Sequence, residues 1–133
     1  MIEEIKFNNT TYAHVMRADT NPENTEFYTP KSCEFQLGMV AHKKGYVEPA
    51  HIHKLSRRVI LNVTETLTVV KGSGRINFFS SDGEKVGDTI LDVGDTILLK
   101  GNTGHNFEAL EDFKGVKTKQ GPYVSMEDDK IIL

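Results

Sequence analysis

Three shortages in the chain each remove a class of protein. There is a single cysteine, Cys33, so an internal disulfide framework is excluded and a reducing compartment is compatible with the composition. No apolar run approaches the length needed to span a bilayer. The start of the sequence, Met1-Ile-Glu-Glu-Ile-Lys6, is acidic and lacks the apolar stretch of a signal peptide. The expectation is a cytoplasmic protein with no membrane partner. Positive charge is not in excess: 16 Lys and Arg stand against 19 Asp and Glu. The basic residues are scattered, so no nucleic-acid surface is expected. Nucleotide and hydrolase signatures are missing too. Lys71-Gly72-Ser-Gly74 lacks the other parts of a phosphate-binding loop, and no Gly-x-Ser-x-Gly elbow exists.

What is present is a succession of short, alternating runs. At 133 residues the chain has the length of one domain, 1–133, and can bury a core without staples. Residues 2–7 and 11–17 read as strands around an Asn8-Asn9 turn. Residues 19–32 read as a loop, in which Asn21-Pro22-Glu23 is placed to open one helical turn. Within 33–41, Phe35, Leu37 and Met39 alternate with Glu34, Gln36 and Gly38, the period of a half-buried strand. Glu65–Lys71 is rich in β-branched residues. Gly72-Ser-Gly74 reads as a hairpin turn joining it to a partner strand, 75–80. Further strands are expected at 85–91, 95–100, 105–110 and 113–119, with 54–61 undecided between strand and loop. The sum is about ten short strands and no long helix, hence an all-β sandwich or barrel, with a jelly roll preferred. The core of that barrel is expected over 33–120, with the strands of 1–32 packing on it or extending it.

Chemistry concentrates in Gly45-Tyr-Val-Glu-Pro-Ala-His51-Ile-His53. On a strand, residues two apart share a face, so His51 and His53 would point the same way. Paired imidazoles inside a β-domain suit metal ligation. The same parity finds two further donors. Glu65 shares a face with Leu67 and Val69, which carries its carboxylate inward, and a buried carboxylate needs a partner or a metal. His105 shares a face with Phe107 and Ala109. Three imidazoles and one carboxylate suit a borderline divalent transition ion: zinc, iron, manganese, nickel or copper. Arg57 and Arg58 come soon after the histidines. Either is placed to hold a carboxylate or phosphate in a bidentate fork, and Tyr123 and Gln120 are candidates for the mouth of the barrel. His14 and His42 have no neighbours at ligand spacing and read as structural or surface residues.

The spacing resembles the cupin superfamily. Gly45 is followed by five residues and then His51-Ile-His53; Glu65 is followed by six residues and then Gly72; Gly94 stands the expected distance ahead of His105. The likeness covers about residues 34–119. It departs from the family in the eleven residues between His53 and Glu65, and in Lys100, Asn102 and Ala109 at the Pro, Gly and Asn of the second motif. The resemblance implies a double-stranded β-helix, the jelly-roll barrel, with His51, His53, Glu65 and His105 as metal ligands, and a homodimer. The wider pattern of Arg58, Asp95, Gly104-His105 and Lys119-Gln-Gly-Pro-Tyr123 is similar to small cupins found with bacterial surface-polysaccharide and sugar-nucleotide genes. That likeness implies a metal-binding protein acting on a small polar substrate such as a sugar derivative, by isomerisation or epimerisation, with Arg58 and Tyr123 touching the substrate. A non-catalytic ligand-binding barrel and an iron-dependent dioxygenase are the alternatives.

Overall fold

Asn8 and Asn9 both adopt left-handed backbone, with φ of 48° and 62°, the conformation that a two-residue hairpin turn requires and that asparagine tolerates best. They close the first hairpin of the computed structural model, which describes residues 2–133. Its strands are β1 (Ile2–Phe7), β2 (Thr10–Met16), β3 (Glu26–Phe27), β4 (Gly38–Met39), β5 (Glu65–Lys71), β6 (Gly74–Phe79), β7 (Lys85–Leu91), β8 (Thr96–Leu99), β9 (Gly104–Ala109) and β10 (Lys114–Lys119), and one helical turn, α1 (Met126–Asp129), comes after them. The protein is all-β with antiparallel pairing, as the alternating pattern predicts. No helix among the described residues is long and apolar enough to cross a membrane.

The strands form a five-stranded sheet in the order β1-β2-β8-β5-β10, a three-stranded sheet in the order β7-β6-β9, and a small ribbon of β3 with β4. The two larger sheets share a core of Tyr12, Ala13, Val15, Leu67, Val69, Ile76, Phe78, Leu91, Ile97 and Leu99. At its centre the rings of Phe7, Tyr12 and Phe78 meet edge-on or tilted, with centroids 5.5 to 6.0 Å apart. On the far side of the five-stranded sheet, Met16 and Leu98 pack against Leu37, Tyr28, Phe35 and Met39. Thus β8 is buried on both faces, which is why Thr96-Ile-Leu-Leu99 is apolar without alternation.

Three expectations need correction. The Gly72-Ser-Gly74 turn does not close a hairpin. Both edges of β5 are already taken by β8 and β10, so the chain crosses to the other sheet, where β6 pairs with β7 and β9. The run 33–41 contributes only Gly38–Met39 as strand. Before it the chain curls, the Cys33 N–H donating to the Pro30 carbonyl at 2.9 Å and the Gln36 side chain reaching the same oxygen at 3.0 Å. Phe35, Leu37 and Met39 nonetheless pack on one core, as their alternation predicts. No helical turn forms at Asn21-Pro22; the helical turn is α1, capped by Ser125, whose hydroxyl accepts the Asp128 N–H at 3.2 Å.

The turn before β8 ties the N-terminal hairpin to the sheet. Asp95 is buried, and its carboxylate accepts the N–H groups of Ala18 at 2.8 Å and Asp92 at 2.9 Å and the Arg17 guanidinium at 3.0 Å. Gly94 makes this bend possible with φ of +90°, a region that disfavours any side chain.

Candidate functional site

Glu65 opens β5, and its neighbours Leu67 and Val69 on the same face are buried at 8% and 2% exposure. Parity therefore carries the carboxylate inward, and Glu65 itself is only 8% exposed. A charge there needs partners. It has two: the His105 Nε2–H donates to Oε1 at 3.1 Å, and the Lys117 ammonium stands 3.4 Å from Oε2. The His105 hydrogen bond, with help from Lys117, outweighs burial and holds the Glu65 carboxyl well below its ordinary value of 4.5, at about 2. Glu65 is therefore a carboxylate throughout the physiological range.

His105 comes from the other sheet. In β9 it stands opposite Phe78, and Phe107 stands opposite Ile76. Phe78 and Ile76 are core residues, and directly opposed residues share a face, so His105 and Phe107 point inward as the alternation predicts. The Glu65–His105 contact thus bridges the two sheets across the interior. His105 Nδ1 is buried and has no hydrogen-bond partner. Phe107 is 41% exposed although it lies on the inner face: β9 is the last strand of its sheet, and the Phe113 ring, 4.5 Å away between centroids, covers it only in part.

Lys117 carries no signature of its own in the sequence. Register supplies one: Lys117 opposes Leu67 and Lys119 opposes Glu65, so both lysines of β10 share the inner face with the carboxylate. Lys119 is paired with Asp129 at 2.5 Å and lies under the Tyr123 ring, its Nζ 4.9 Å from the centroid. Tyr123 is thereby held near the Glu65 end of β5, while its ring remains largely exposed. Gln120 fastens the same end, its Oε1 accepting the Thr64 N–H at 2.8 Å. The Gln120 amide nitrogen is buried without a partner. Gln120, Pro122 and residues Ile60, Leu61 and Val63 line a cleft of about 280 Å³.

The histidine pair lies elsewhere. Residues 45–53 are not a strand: Gly45 turns the chain with φ of +91°, and no β-pairing involves residues 40–64. His51 and His53 still come close, their ring centroids 5.1 Å apart, but both are exposed, and His51 Nδ1 is engaged by the Pro49 carbonyl at 2.8 Å. Among the described residues, no group of three or more His, Cys, Asp or Glu side chains is close enough together to hold an ion. The residue types suit a divalent metal, but the four form two separate pairs, and a lysine already supplies the cation at Glu65. Arg58 is exposed on the same loop and reaches only the Ser56 carbonyl, at 3.5 Å. His14 is a structural histidine: it is buried, with Nε2 3.9 Å from the Cys33 sulfur, and burial lowers its pKa from 6.5. His42 stacks on Tyr46 at 3.9 Å.

No family model matches the chain, and no curated protein or solved structure matches it either.

Proposed function

We propose that this protein is a metal-binding β-barrel of the cupin type, and that His51, His53, Glu65 and His105 form its centre. The observation that carries this reading is the meeting of Glu65 and His105. Two donors forty residues apart in sequence are brought to 3.1 Å from different sheets, in a polar patch of an otherwise apolar interior. The unpartnered His105 Nδ1 leaves that patch incomplete. The strand order also favours a jelly roll. From β5 to β10 the chain passes repeatedly between the two sheets, with β5, β8 and β10 in one and β6, β7 and β9 in the other. Such crossing is the habit of Greek-key barrels.

A divalent ion held there would polarise a hydroxyl, carbonyl or carboxylate as a Lewis acid. The chain's own contribution is a carboxylate that stays ionised and a nearby polar cleft. The cleft of about 280 Å³ beside Gln120 is of a size for a small polar molecule, and Asn62 and Asp129 give its lining polar groups. A sugar derivative is the substrate class this favours, with isomerisation or epimerisation as the chemistry. Tyr123, held by Lys119 beside this end of β5, and Arg58, on the exposed loop, are the substrate contacts in this reading.

Elemental analysis of the purified protein, beside a His51→Ala, His53→Ala double variant, tests the centre. One zinc, iron, manganese or nickel ion per chain is expected in the parent and loss of it in the variant. A metal-free parent that takes up none of these ions on dialysis ends the proposal. Turnover in a panel of sugar derivatives by the loaded protein then separates an enzyme from a binding protein.

A further inference from the structure

β10 turns two ammonium groups toward the carboxylate at the start of β5. Lys119 stands directly opposite Glu65, yet Glu65 is taken by His105 at 3.1 Å and Lys117 at 3.4 Å. The Lys119 side chain is only 16% exposed, and a cation so covered needs an anion. The C-terminal segment supplies one: Asp129 of α1 reaches Lys119 at 2.5 Å and is itself 17% exposed. That carboxylate arrives on a lightly held segment. α1 buries none of its residues, and Asp128 turns back to Ser125, whose hydroxyl donates to its carboxylate at 2.9 Å. Ile131 and Ile132 are 90% and 73% exposed. Leu133 rests against Gly104, where an added methyl group would come within 2.6 Å of its Cδ1. Lifting the segment therefore uncovers little apolar surface. Asp129 also lines the cleft of about 280 Å³ beside Gln120.

We propose that Lys119 is the oxyanion-binding group of that cleft, that Asp129 occupies it as the chain's own stand-in, and that a small sugar derivative bearing a carboxylate or phosphate binds by displacing Asp129 and releasing residues 125–133. This rests on the reading of the cleft as the ligand site and needs no metal; it adds the ligand's charge and a built-in competitor. The Asp129 carboxylate and a ligand oxyanion offer the ammonium the same negative charge and the same acceptor oxygens, so one excludes the other. A lysine suits either ligand group, because its three donors rotate about a point charge and do not demand a planar fork. The competitor is tethered, which keeps its effective concentration high. A ligand must therefore bring contacts of its own in the cleft, where Asn62 lies in the lining. The arrangement favours a sugar that carries an anion over a neutral sugar or a bare anion.

Calorimetric titration at matched ionic strength with glucuronate, glucose 6-phosphate and glucose, beside amide NMR spectra of the same samples, tests this without any activity assay. The full chain is compared with Asp129→Asn and Lys119→Met. Glucuronate or glucose 6-phosphate is expected to bind, with glucose about tenfold weaker, the scale of one charge-assisted hydrogen bond. On binding, the amide signals of residues 125–133 should move to unstructured positions and sharpen, and the Gly104 amide should shift as Leu133 leaves it. Asp129→Asn should tighten binding of the anionic sugar about tenfold, the gain when a competent state populated about one time in ten becomes dominant. Lys119→Met should abolish the preference for the charged sugar. Asp129→Asn changes a turn that buries nothing, so it keeps the test decisive should Lys119→Met fail to fold. Charged and neutral sugars bound equally, with the C-terminal signals unmoved, overturn the oxyanion site and leave the cleft reading standing. An affinity for the anionic sugar that Asp129→Asn leaves unchanged overturns the displacement. Failure of all three sugars to bind either the parent or Asp129→Asn overturns both readings together.

Discussion

Residues 64–119 and residues 42–63 draw on similar amino acids and meet opposite fates. In the first region Phe78 is fully buried; in the second Leu55 is fully exposed, at 0% and 105%. Both carry β-branched and aliphatic side chains between polar ones. The difference is partnership. Each strand of the first region finds a neighbour in register, so its inner face meets the inner face of the opposite sheet. The second has Gly45 and Pro49 at its start and no neighbouring edge engaged. Apolar content is therefore not sufficient for burial; a segment also needs a place for its backbone hydrogen bonds.

The contrast is broken most strongly by removing a core ring. Phe78→Ala, at the centre of the aromatic cluster, is expected to destabilise the fold by about 3–5 kcal/mol in urea unfolding. Asp95→Ala comes next. It strands two backbone N–H groups and leaves Arg17 with Glu3 as its remaining carboxylate partner, for a loss of about 2–4 kcal/mol. A loss below about 1 kcal/mol would show that the N-terminal hairpin does not depend on this turn.

Acid probes the two-sheet bridge. The Glu65 pKa is lowered from 4.5 to about 2, so its stabilisation is complete above pH 4.5 and is lost as pH falls from there toward 2. The expected loss is on the order of 2 kcal/mol, and Glu65→Gln should remove that part of the pH dependence in urea titrations between about pH 6 and 2.5. Lys117→Met tests the competition at the same carboxylate. Removing the ammonium 3.4 Å from Glu65 should tighten binding of a divalent ion about fivefold in calorimetric titration, the scale of a half-exposed ion pair. Weaker binding would mean that Lys117 supports the site. The smallest effect is expected in the exposed stretch: Leu55→Ala should change the stability of metal-free protein by less than about 0.5 kcal/mol. A larger loss would mean that this region is packed after all.

The alternation was a good guide wherever a strand is paired along at least one edge. It placed Glu65 inward with Leu67 and Val69, and His105 inward with Phe107. It failed at Gly72–Gly74 because a tight glycine turn looks the same whether the chain folds back on its own sheet or crosses to the other. It overreached at 45–53 because period two describes a strand once paired and is silent on whether an edge is there to pair with. Lys117 was invisible for a related reason: it matters only through the register of β10 on β5, a long-range pairing that no local pattern encodes.

Local chemistry alone determined the class of the fold, the Asn8-Asn9 turn, and which face of β5 and β9 carries the acid and the imidazole, because each is set by side-chain alternation and backbone preference within a few residues. Tertiary structure decided that Glu65 meets His105 and Lys117, that Asp95 binds the N-terminal hairpin, and that His51 and His53 stand apart from both. Those outcomes depend on which edges were already occupied when distant strands came together, and edge occupancy belongs to the assembled molecule.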